Sequence, residues 1–191
     1  MFICKKKYFL IIENTKDIDL SNIKISNKFA IIYRNKKKNE NINKLLQFRR
    51  YCKIKKIDFY VSNDRNLMVT LQADGLYISA YNSNLNLSTF CRSKYKIIGS
   101  AHNIRDLNLK IIQGCSYFIF SRLFKTNYKN KPGYLGVIKF NLFKLSIKKN
   151  LVPLGGIKLS NLNKLRLVNC DAFTLFSEIK KKPAKVISRL F

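Results

Sequence analysis

The sequence predicts an α/β protein with the architecture of a compact (β/α)8 TIM barrel whose first βα unit is reduced. Three observations support this prediction: eight short apolar runs, helix-period segments between most of them, and a length of 191 residues. Continuously apolar runs are typical of strands that are buried on both faces, as in parallel sheets. Strand–helix alternation favours right-handed βα units, and eight of them favour a closed barrel, for which ~200 residues is near the lower limit.

The eight predicted strands each contain four to six residues and end at polar residues or glycine. They are Tyr8–Ile12, Phe29–Tyr33, Asp58–Ser62, Gly75–Ile78, Lys96–Gly99, Tyr117–Phe120, Leu151–Leu154 and Ala172–Phe176.

Three of the intervening segments have a clear helical period. Asn39–Lys55 and Leu159–Asn169 repeat apolar residues every three or four positions, and so does Asn103–Gln113, which begins with Asn103 as a candidate N-cap. Asn14–Lys28 has too few residues for a full helix and two loops. The first βα unit is therefore expected to be the reduced one.

No Pro/Gly-rich linker divides the chain, so we expect one barrel domain over residues 1–179 and a basic C-terminal tail over 180–191. No run approaches the ~18 apolar residues that a membrane span needs. Five widely spaced cysteines without a C-x-x-C pair are typical of reduced thiols. These features together predict a cytoplasmic protein that does not bind a membrane.

The charge is strongly positive, with 38 Lys+Arg against 10 Asp+Glu and a formal net charge of +28. Two interpretations remain open, an RNA or ribosome contact and a solvated basic surface. The basic residues are spread along the chain, whereas a nucleic-acid-binding protein often concentrates them on one face or tail. In either case anionic ligands are attracted to the protein.

Functional groups of such a barrel gather just after the strand ends. Those positions carry cations, amides, hydroxyls and glycines, and few carboxylates. They include Arg34, Lys36, Asn63, Asp64, Ser100, His102, Thr126, Lys129, Gly155, Gly156 and Ser177. Such a set of donors indicates a site for phosphate or diphosphate. The two glycines are interpreted either as a plain turn or as a place where a ligand approaches the backbone.

The order of short motifs along the chain resembles the thiamine phosphate synthase and thiazole tautomerase family, a set of compact TIM barrels. The resemblance runs from about Tyr8 to Ile179. Its motifs are Tyr33-Arg34-Asn35-Lys36, Ser62-Asn63-Asp64-Arg65, Ala73-Asp74-Gly75, Ser100-Ala101-His102, the loop Phe124–Gly136, Pro153-Leu154-Gly155-Gly156-Ile157, and Asp171-Ala172 with Ser177.

The resemblance implies a synthase that couples hydroxymethylpyrimidine diphosphate to thiazole phosphate and releases diphosphate. It assigns the diphosphate to Arg34, Lys36, Asn63, Ser100 and Lys129. It assigns Mg²⁺ to Asp64 and the thiazole phosphate to Gly156 and Ser177, and it matches Thr126 to a threonine of the strand-six loop. His102 matches a histidine that tautomerase relatives use as an acid or base. The family also suggests a homo-oligomer.

Three positions depart from the family pattern. Ile32 replaces a glutamine, Tyr128 replaces a threonine, and Asn82 replaces an aspartate that binds Mg²⁺. Mg²⁺ prefers carboxylate and phosphate oxygens, so the metal site is expected to be altered. The phosphate-binding half of the site is better preserved than the metal and pyrimidine half.

Several alternatives stay open at the level of the sequence. The protein is a synthase, or a thiazole tautomerase or non-catalytic phosphate-binding paralogue, or a basic RNA-associated protein. Asp64 is a metal ligand or an N-cap, His102 an acid/base or a residue at a helix start, and Lys36 a diphosphate ligand or part of a solvated lysine run.

Overall fold

Eight parallel strands pair in chain order, and β1 also pairs with β8, so the sheet closes into a barrel. The computed structural model describes residues 6–35, 40–89, 95–126 and 133–190. The strands are β1 (Lys7–Ile12), β2 (Phe29–Tyr33), β3 (Asp58–Ser62), β4 (Gly75–Ile78), β5 (Lys96–Ala101), β6 (Tyr117–Ser121), β7 (Leu151–Leu154) and β8 (Ala172–Leu175). The predicted barrel is confirmed, with each strand within two residues of its expected bounds.

Seven α-helices lie in the described part of the chain. They are α1 (Ile42–Ile54), α2 (Arg65–Thr70), α3 (Asn86–Thr89), α4 (Ile104–Ile112), α5 (Gly136–Ile147), α6 (Ser177–Lys181) and α7 (Pro183–Ser188). Asn103 caps α4, as predicted, because its side chain accepts from the N–H of Asp106 at 2.8 Å. The helical period of Asn39–Lys55 would place Ile42 on the same face as Leu45 and Arg49. Leu45 and Arg49 are buried, but Ile42, the first residue of α1, is exposed.

The first βα unit is reduced, as the sequence predicts. Three short 3₁₀ turns stand between β1 and β2, over Thr15–Asp17, Leu20–Asn22 and Ser26–Lys28. Asn14 and Asp19 cap the first two turns by accepting backbone N–H groups, which favours turns over a longer helix. The buried side chains of Ile18, Leu20 and Ile23 join the core on the outside of the barrel.

The segment after β7 forms a 3₁₀ helix over Leu159–Leu167, where the sequence predicts an α-helix. Leu159, Leu162 and Leu165 lie three residues apart and all pack against the core. A repeat of three residues fits the 3₁₀ helix, which has three residues per turn. The α-helix prediction was wrong because the spacing of three was interpreted as part of a 3.6-residue period.

Apolar side chains fill two layers of the barrel. One cluster lies inside it and includes Phe9, Ile32, Tyr77 and Ile119; the other lies between the strands and the helices. Since side chains alternate along a strand, the residues two positions beyond the inner cluster face the barrel axis at its carboxyl end. Ile32, one of the departures from the family pattern, is thus a packing residue of the barrel interior, and so is Tyr77.

The C-terminal segment continues beyond residue 180 as ordered structure. Val186 and Ile187 of α7 are buried and belong to the outer core. The domain boundary at residue 179 stays a prediction, although these contacts make α7 part of the packed molecule.

The three described cysteines, Cys52, Cys115 and Cys170, are buried and free. Burial raises the pKa of each thiol to about 12, so these thiols stay protonated and act as small apolar residues. Cys4 and Cys91 lie outside the described residues. None of the helices described is long and apolar enough to cross a membrane.

Candidate active site

A cavity of about 1220 Å³ opens at the carboxyl ends of the strands. Six residues that the sequence singles out line it together: Arg34, His102, Thr126, Gly155, Gly156 and Ser177. They follow β2, β5, β6, β7 and β8, so the barrel brings together residues that are up to 143 positions apart in the chain. Lys36 and Lys129 lie outside the described residues. Ser100 is buried in β5, two residues before His102.

Arg34 contributes a cation to the wall of this cavity. Its guanidinium carbon lies 4.6 Å from the centroid of the Phe176 ring, which stacks a cation on an aromatic face. Its Nε is buried and has no hydrogen-bond partner among the described residues. A buried donor without a partner costs about 1–3 kcal/mol, so a ligand or water that accepts from Nε would recover that free energy.

Thr174 is a second buried polar group on the same wall, and sequence reasoning missed it. It lies in β8, is fully buried and lines the cavity, and its Oγ1 has no partner within the described part of the chain. The sequence places Thr174 within the predicted apolar strand Ala172–Phe176. Its position two residues before Phe176, on the inner face of β8, is the signal that could have found it.

The Gly155–Gly156 turn follows β7 and has left-handed φ angles of +97° and +69°. A β-carbon on Gly156 would lie 2.4 Å from the carbonyl oxygen of Phe124, and one on Gly155 would lie 2.9 Å from Cγ of Arg122. The glycines are therefore required by the close passage of the β6 loop. Because Gly156 also lines the cavity beside Ser177, the first residue of α6, the turn exposes backbone to a ligand as well.

Two hydrogen bonds fix polar side chains around the β6 end. Nδ1 of His102 lies within hydrogen-bond distance of the Ser121 hydroxyl. Arg122, which the sequence reasoning also missed, donates from a terminal guanidinium nitrogen to Oγ1 of Thr126 at 3.1 Å. Both Ser121 and Arg122 line the cavity, and Arg122 could have been found as the first cation after a strand end.

The β3–β4 side of the rim is different, because its polar side chains bond to one another. Oδ1 of Asn63 accepts from the N–H of Ser79 at 2.9 Å and from the amide of Asn82 at 3.2 Å, and its amide donates to the Ser79 hydroxyl at 3.0 Å. Asn82 in turn accepts from the N–H of Asn84. Neither Asn63 nor Asn82 lines the large cavity as described.

Asp64 acts as an N-cap, the second of its two interpretations. Its Oδ1 accepts from the N–H of Leu67 at 2.9 Å at the start of α2. It lines a separate cavity of about 150 Å³ with Asn35 and Glu40. Among the residues described, no three His, Cys, Asp or Glu side chains are grouped to hold a metal ion.

The Mg²⁺ that the resemblance implies fits these residues in one way. A single carboxylate can share the ion with substrate phosphates, an arrangement that Mg²⁺ accepts. Asp64 would supply that carboxylate if the ion binds, and its Oδ1 would keep the N-cap bond to Leu67. Asn82 supplies a neutral oxygen that already accepts a hydrogen bond.

Asp74, from the motif Ala73-Asp74-Gly75, lies away from the cavity, at the amino end of β4. Its carboxylate accepts from Arg49 at 2.9 Å and from the N–H of Phe59 at 2.7 Å. Arg49 is almost fully buried and also donates to the carbonyl of Gln72. This motif therefore stabilises the barrel, as residues at the amino ends of barrel strands commonly do.

Comparison with known proteins agrees with this geometry. The sequence model of the family described as "Thiamine monophosphate synthase" matches residues 3–179. The thiamine-phosphate synthase of Pelagibacter ubique is 30% identical over 181 residues, which cover 90% of this chain and 87% of the relative. The thiamine-phosphate synthase of Prochlorococcus marinus (strain SARG) is 26% identical over 74% of this chain, which spans 41% of that longer relative.

A solved structure shows the same fold. The thiamine phosphate pyrophosphorylase from Pyrococcus furiosus superposes with a TM-score of 0.71, at 15% identity, over 98% of both chains. At that identity the likeness bears on the fold alone. The family itself is shown by the match over residues 3–179 and by the Pelagibacter relative. This chain belongs to the thiamine monophosphate synthase family.

Proposed function

We propose that this protein is a transferase that joins hydroxymethylpyrimidine diphosphate to thiazole phosphate and forms thiamine phosphate and diphosphate. One observation carries the proposal beyond family membership: Arg34, Gly156 and Ser177 converge on a single cavity at the carboxyl ends of the strands. A cation and a glycine turn with a hydroxyl at one rim suit two phosphorylated substrates.

In the proposed reaction, the bond between the exocyclic carbon of the pyrimidine and the diphosphate oxygen breaks, and its electron pair leaves with the diphosphate. The electron-rich pyrimidine supports the cation, and the thiazole nitrogen forms the new bond to that carbon. Arg34 stabilises the charge that develops on the leaving group, and Phe176 holds its guanidinium in place. Lys36 and Lys129 are assigned the same task from the resemblance.

The second substrate is proposed to bind with its phosphate at the Gly155–Gly156 turn and Ser177. Positive φ angles at both glycines present the backbone to the cavity, and the Ser177 hydroxyl lies at the same rim. Holding both substrates in one cavity makes the coupling effectively unimolecular, so positioning and electrostatics suffice without a protein nucleophile.

The proposed metal ion neutralises charge on the leaving diphosphate when it is bound. Asp64 is the carboxylate that we assign to it, and Asn82 marks the altered part of the motif. Replacing Asn82 with aspartate tests that assignment, because a second carboxylate should lower the Mg²⁺ concentration for half-maximal activity about tenfold. An unchanged Mg²⁺ requirement would contradict the proposal that Asn82 weakens the site.

The alternatives have less support. The named relatives are synthases. The resemblance matches His102 to a histidine of synthases as well as of tautomerases, so this residue does not favour the tautomerase. The +28 charge is distributed along the chain, which does not favour a specific RNA contact. We propose that the protein is cytoplasmic. We also propose that it self-associates, which the family resemblance alone supports. Analytical ultracentrifugation tests the self-association.

The direct test supplies the purified protein with both phosphorylated substrates and Mg²⁺. We expect thiamine phosphate and diphosphate in equal amounts, measured by mass spectrometry and a diphosphate assay. The proposed function is overturned if the protein forms no thiamine phosphate above background while circular dichroism shows that it is folded. Incubation with the thiazole tautomer precursor alone separates a tautomerase from a synthase.

A further inference from the structure

Arg122 lies directly against the glycine turn that follows β7. A β-carbon on Gly155 would lie 2.9 Å from Cγ and 3.1 Å from Cβ of Arg122. The missing side chain at Gly155 therefore makes room for the aliphatic part of Arg122. Any other residue at Gly155 would collide with it.

The backbone around Arg122 is held in place by hydrogen bonds. Leu123 N–H donates to the carbonyl of Leu154 at 2.9 Å, and Phe124 N–H donates to that of Gly155 at 3.0 Å. The carbonyl of Arg122 accepts from Leu135 N–H at 2.9 Å. These bonds attach the start of the β6 loop to the turn, so the position of Arg122 relative to Gly155–Gly156 is fixed by main-chain structure.

Arg122 is half-buried and lines the same cavity as Gly156 and Ser177. Its guanidinium donates a hydrogen bond to Oγ1 of Thr126, which orients the group. A guanidinium fork matches the geometry of phosphate oxygens and can donate two parallel hydrogen bonds to them.

The acidic residues near this end of the cavity are directed elsewhere. Asp106 is the acid among the described lining residues, and its carboxylate accepts from the N–H of His102 on the β5 side. Glu178 follows Ser177 in the chain but accepts from the N–H of Leu159 at 3.3 Å. Among the described lining residues, Arg122 is therefore the charged side chain that lies directly against the turn.

We propose that Arg122 is a phosphate ligand that binds the monophosphate group of the thiazole substrate beside the Gly155–Gly156 turn and Ser177. This inference rests on the proposed function and adds a charged residue to a subsite that the family resemblance assigns to Gly156 and Ser177 alone. A cation at this position favours the phosphorylated thiazole over the unphosphorylated alcohol, because the alcohol offers no charge to pair with the guanidinium.

The test measures binding of thiazole phosphate and of the unphosphorylated thiazole by calorimetry to the wild type and to Arg122→Gln and Arg122→Lys. Arg122→Gln should weaken thiazole phosphate binding about 10- to 100-fold, and change that of the unphosphorylated thiazole less than twofold. Arg122→Lys keeps the charge without the fork and should lie between. Arg50→Gln, at an exposed site on α1, is the control and should behave as wild type.

The inference is overturned if both variants bind thiazole phosphate within twofold of the wild-type affinity, or if Arg122→Gln weakens the binding of both ligands equally. It is also overturned if the wild type binds no thiazole phosphate. A rise in KM for the pyrimidine diphosphate without a change for thiazole phosphate would also contradict it, since Arg122 would then serve the other substrate. If the wild type binds thiazole phosphate but forms no product, the proposed function fails while the binding data still test Arg122. Should Arg122→Gln fail to fold, Arg122→Lys decides.

Discussion

The two sides of the barrel rim use polar residues in opposite ways. On the β5–β8 side, together with Arg34, polar groups face a large cavity, and Arg34 Nε and Thr174 Oγ1 have no described partner. On the β3–β4 side, Asn63, Ser79 and Asn82 satisfy one another. The first arrangement is incomplete without a ligand or water, whereas the second is a finished structural network.

A buried lysine, Lys110, adds hydrogen bonds to the network on the β3–β4 side of the rim. Nζ of Lys110 donates to the carbonyl of Asn82 at 2.6 Å and to Oε1 of Gln113 at 2.8 Å, and Gln113 also donates to Asn82 and Asn84. Burial lowers the pKa of Lys110. The loop after β4, which carries Asn82, is therefore tied to α4 and has little freedom to rearrange.

The largest effect is expected at the Gly155–Gly156 turn. Gly156→Ala adds an atom 2.4 Å from the Phe124 carbonyl oxygen at a φ of +69°, and should lower the free energy of unfolding by about 3 kcal/mol or more, about 6–12 °C in Tm. It should also abolish thiamine phosphate formation. Differential scanning calorimetry and product analysis measure the two effects.

Gly136 provides a matched control for that variant. It has the same φ of +69°, with no atom within 4 Å of an added β-carbon. Gly136→Ala should cost only about 1 kcal/mol from backbone strain. Equal losses in the two variants would mean that the close passage of the β6 loop does not explain the requirement for Gly156.

Arg34→Ala should lower kcat/KM about 100-fold. Tm should fall only by the loss of the contact with the Phe176 ring, because the buried Nε has no described hydrogen-bond partner to lose. Arg34→Lys keeps the charge but not the stacked, planar group and should recover part of the activity. Steady-state kinetics with both substrates test this. If Arg34→Ala keeps full activity at saturating Mg²⁺, the leaving diphosphate does not bind to Arg34.

A smaller effect is expected at Asp64, where two roles can be separated. Asn is as good an N-cap as Asp, so Asp64→Asn should preserve stability, whereas Asp64→Ala should cost about 1 kcal/mol. If the carboxylate also holds Mg²⁺, Asp64→Asn should raise the Mg²⁺ concentration for half-maximal activity about tenfold. An unchanged Mg²⁺ dependence with wild-type Tm would leave the N-cap as its sole role.

Thr174→Val should have the smallest effect on stability, and the sign of its change in Tm distinguishes two roles of the hydroxyl. It removes a buried hydroxyl that lacks a described partner and replaces it with an isosteric methyl group, so Tm should stay constant or rise by about 2–4 °C. The KM of one substrate should increase if the hydroxyl binds it. A fall in Tm would show that Oγ1 already has a structural partner such as a water molecule.

The sequence alone predicts much of the fold because each βα unit is encoded locally. Strand bounds follow from apolar runs, and the cap at Asn103 and the turn at Gly155–Gly156 follow from residue type. Arg122 and Thr174 each had a local signal, a cation just after a strand end and an inner-face position in a strand. That both face the same cavity depends on the register of the closed barrel, which no local pattern contains. The mutual bonding of Asn63 and Asn82 likewise depends on which loops become neighbours. The N-cap role of Asp64 is local, because its bond reaches only three residues along the chain, and it was one of the two interpretations of the sequence.

A crystal structure of the protein with thiazole phosphate and diphosphate tests most directly whether the β5–β8 side of the rim binds both phosphorylated groups. We expect the thiazole phosphate at the Gly155–Gly156 turn and Ser177, and the diphosphate against Arg34 in the same cavity. Ligands bound outside this cavity, or phosphate groups seated only against Asn63 and Asn82, would contradict the account.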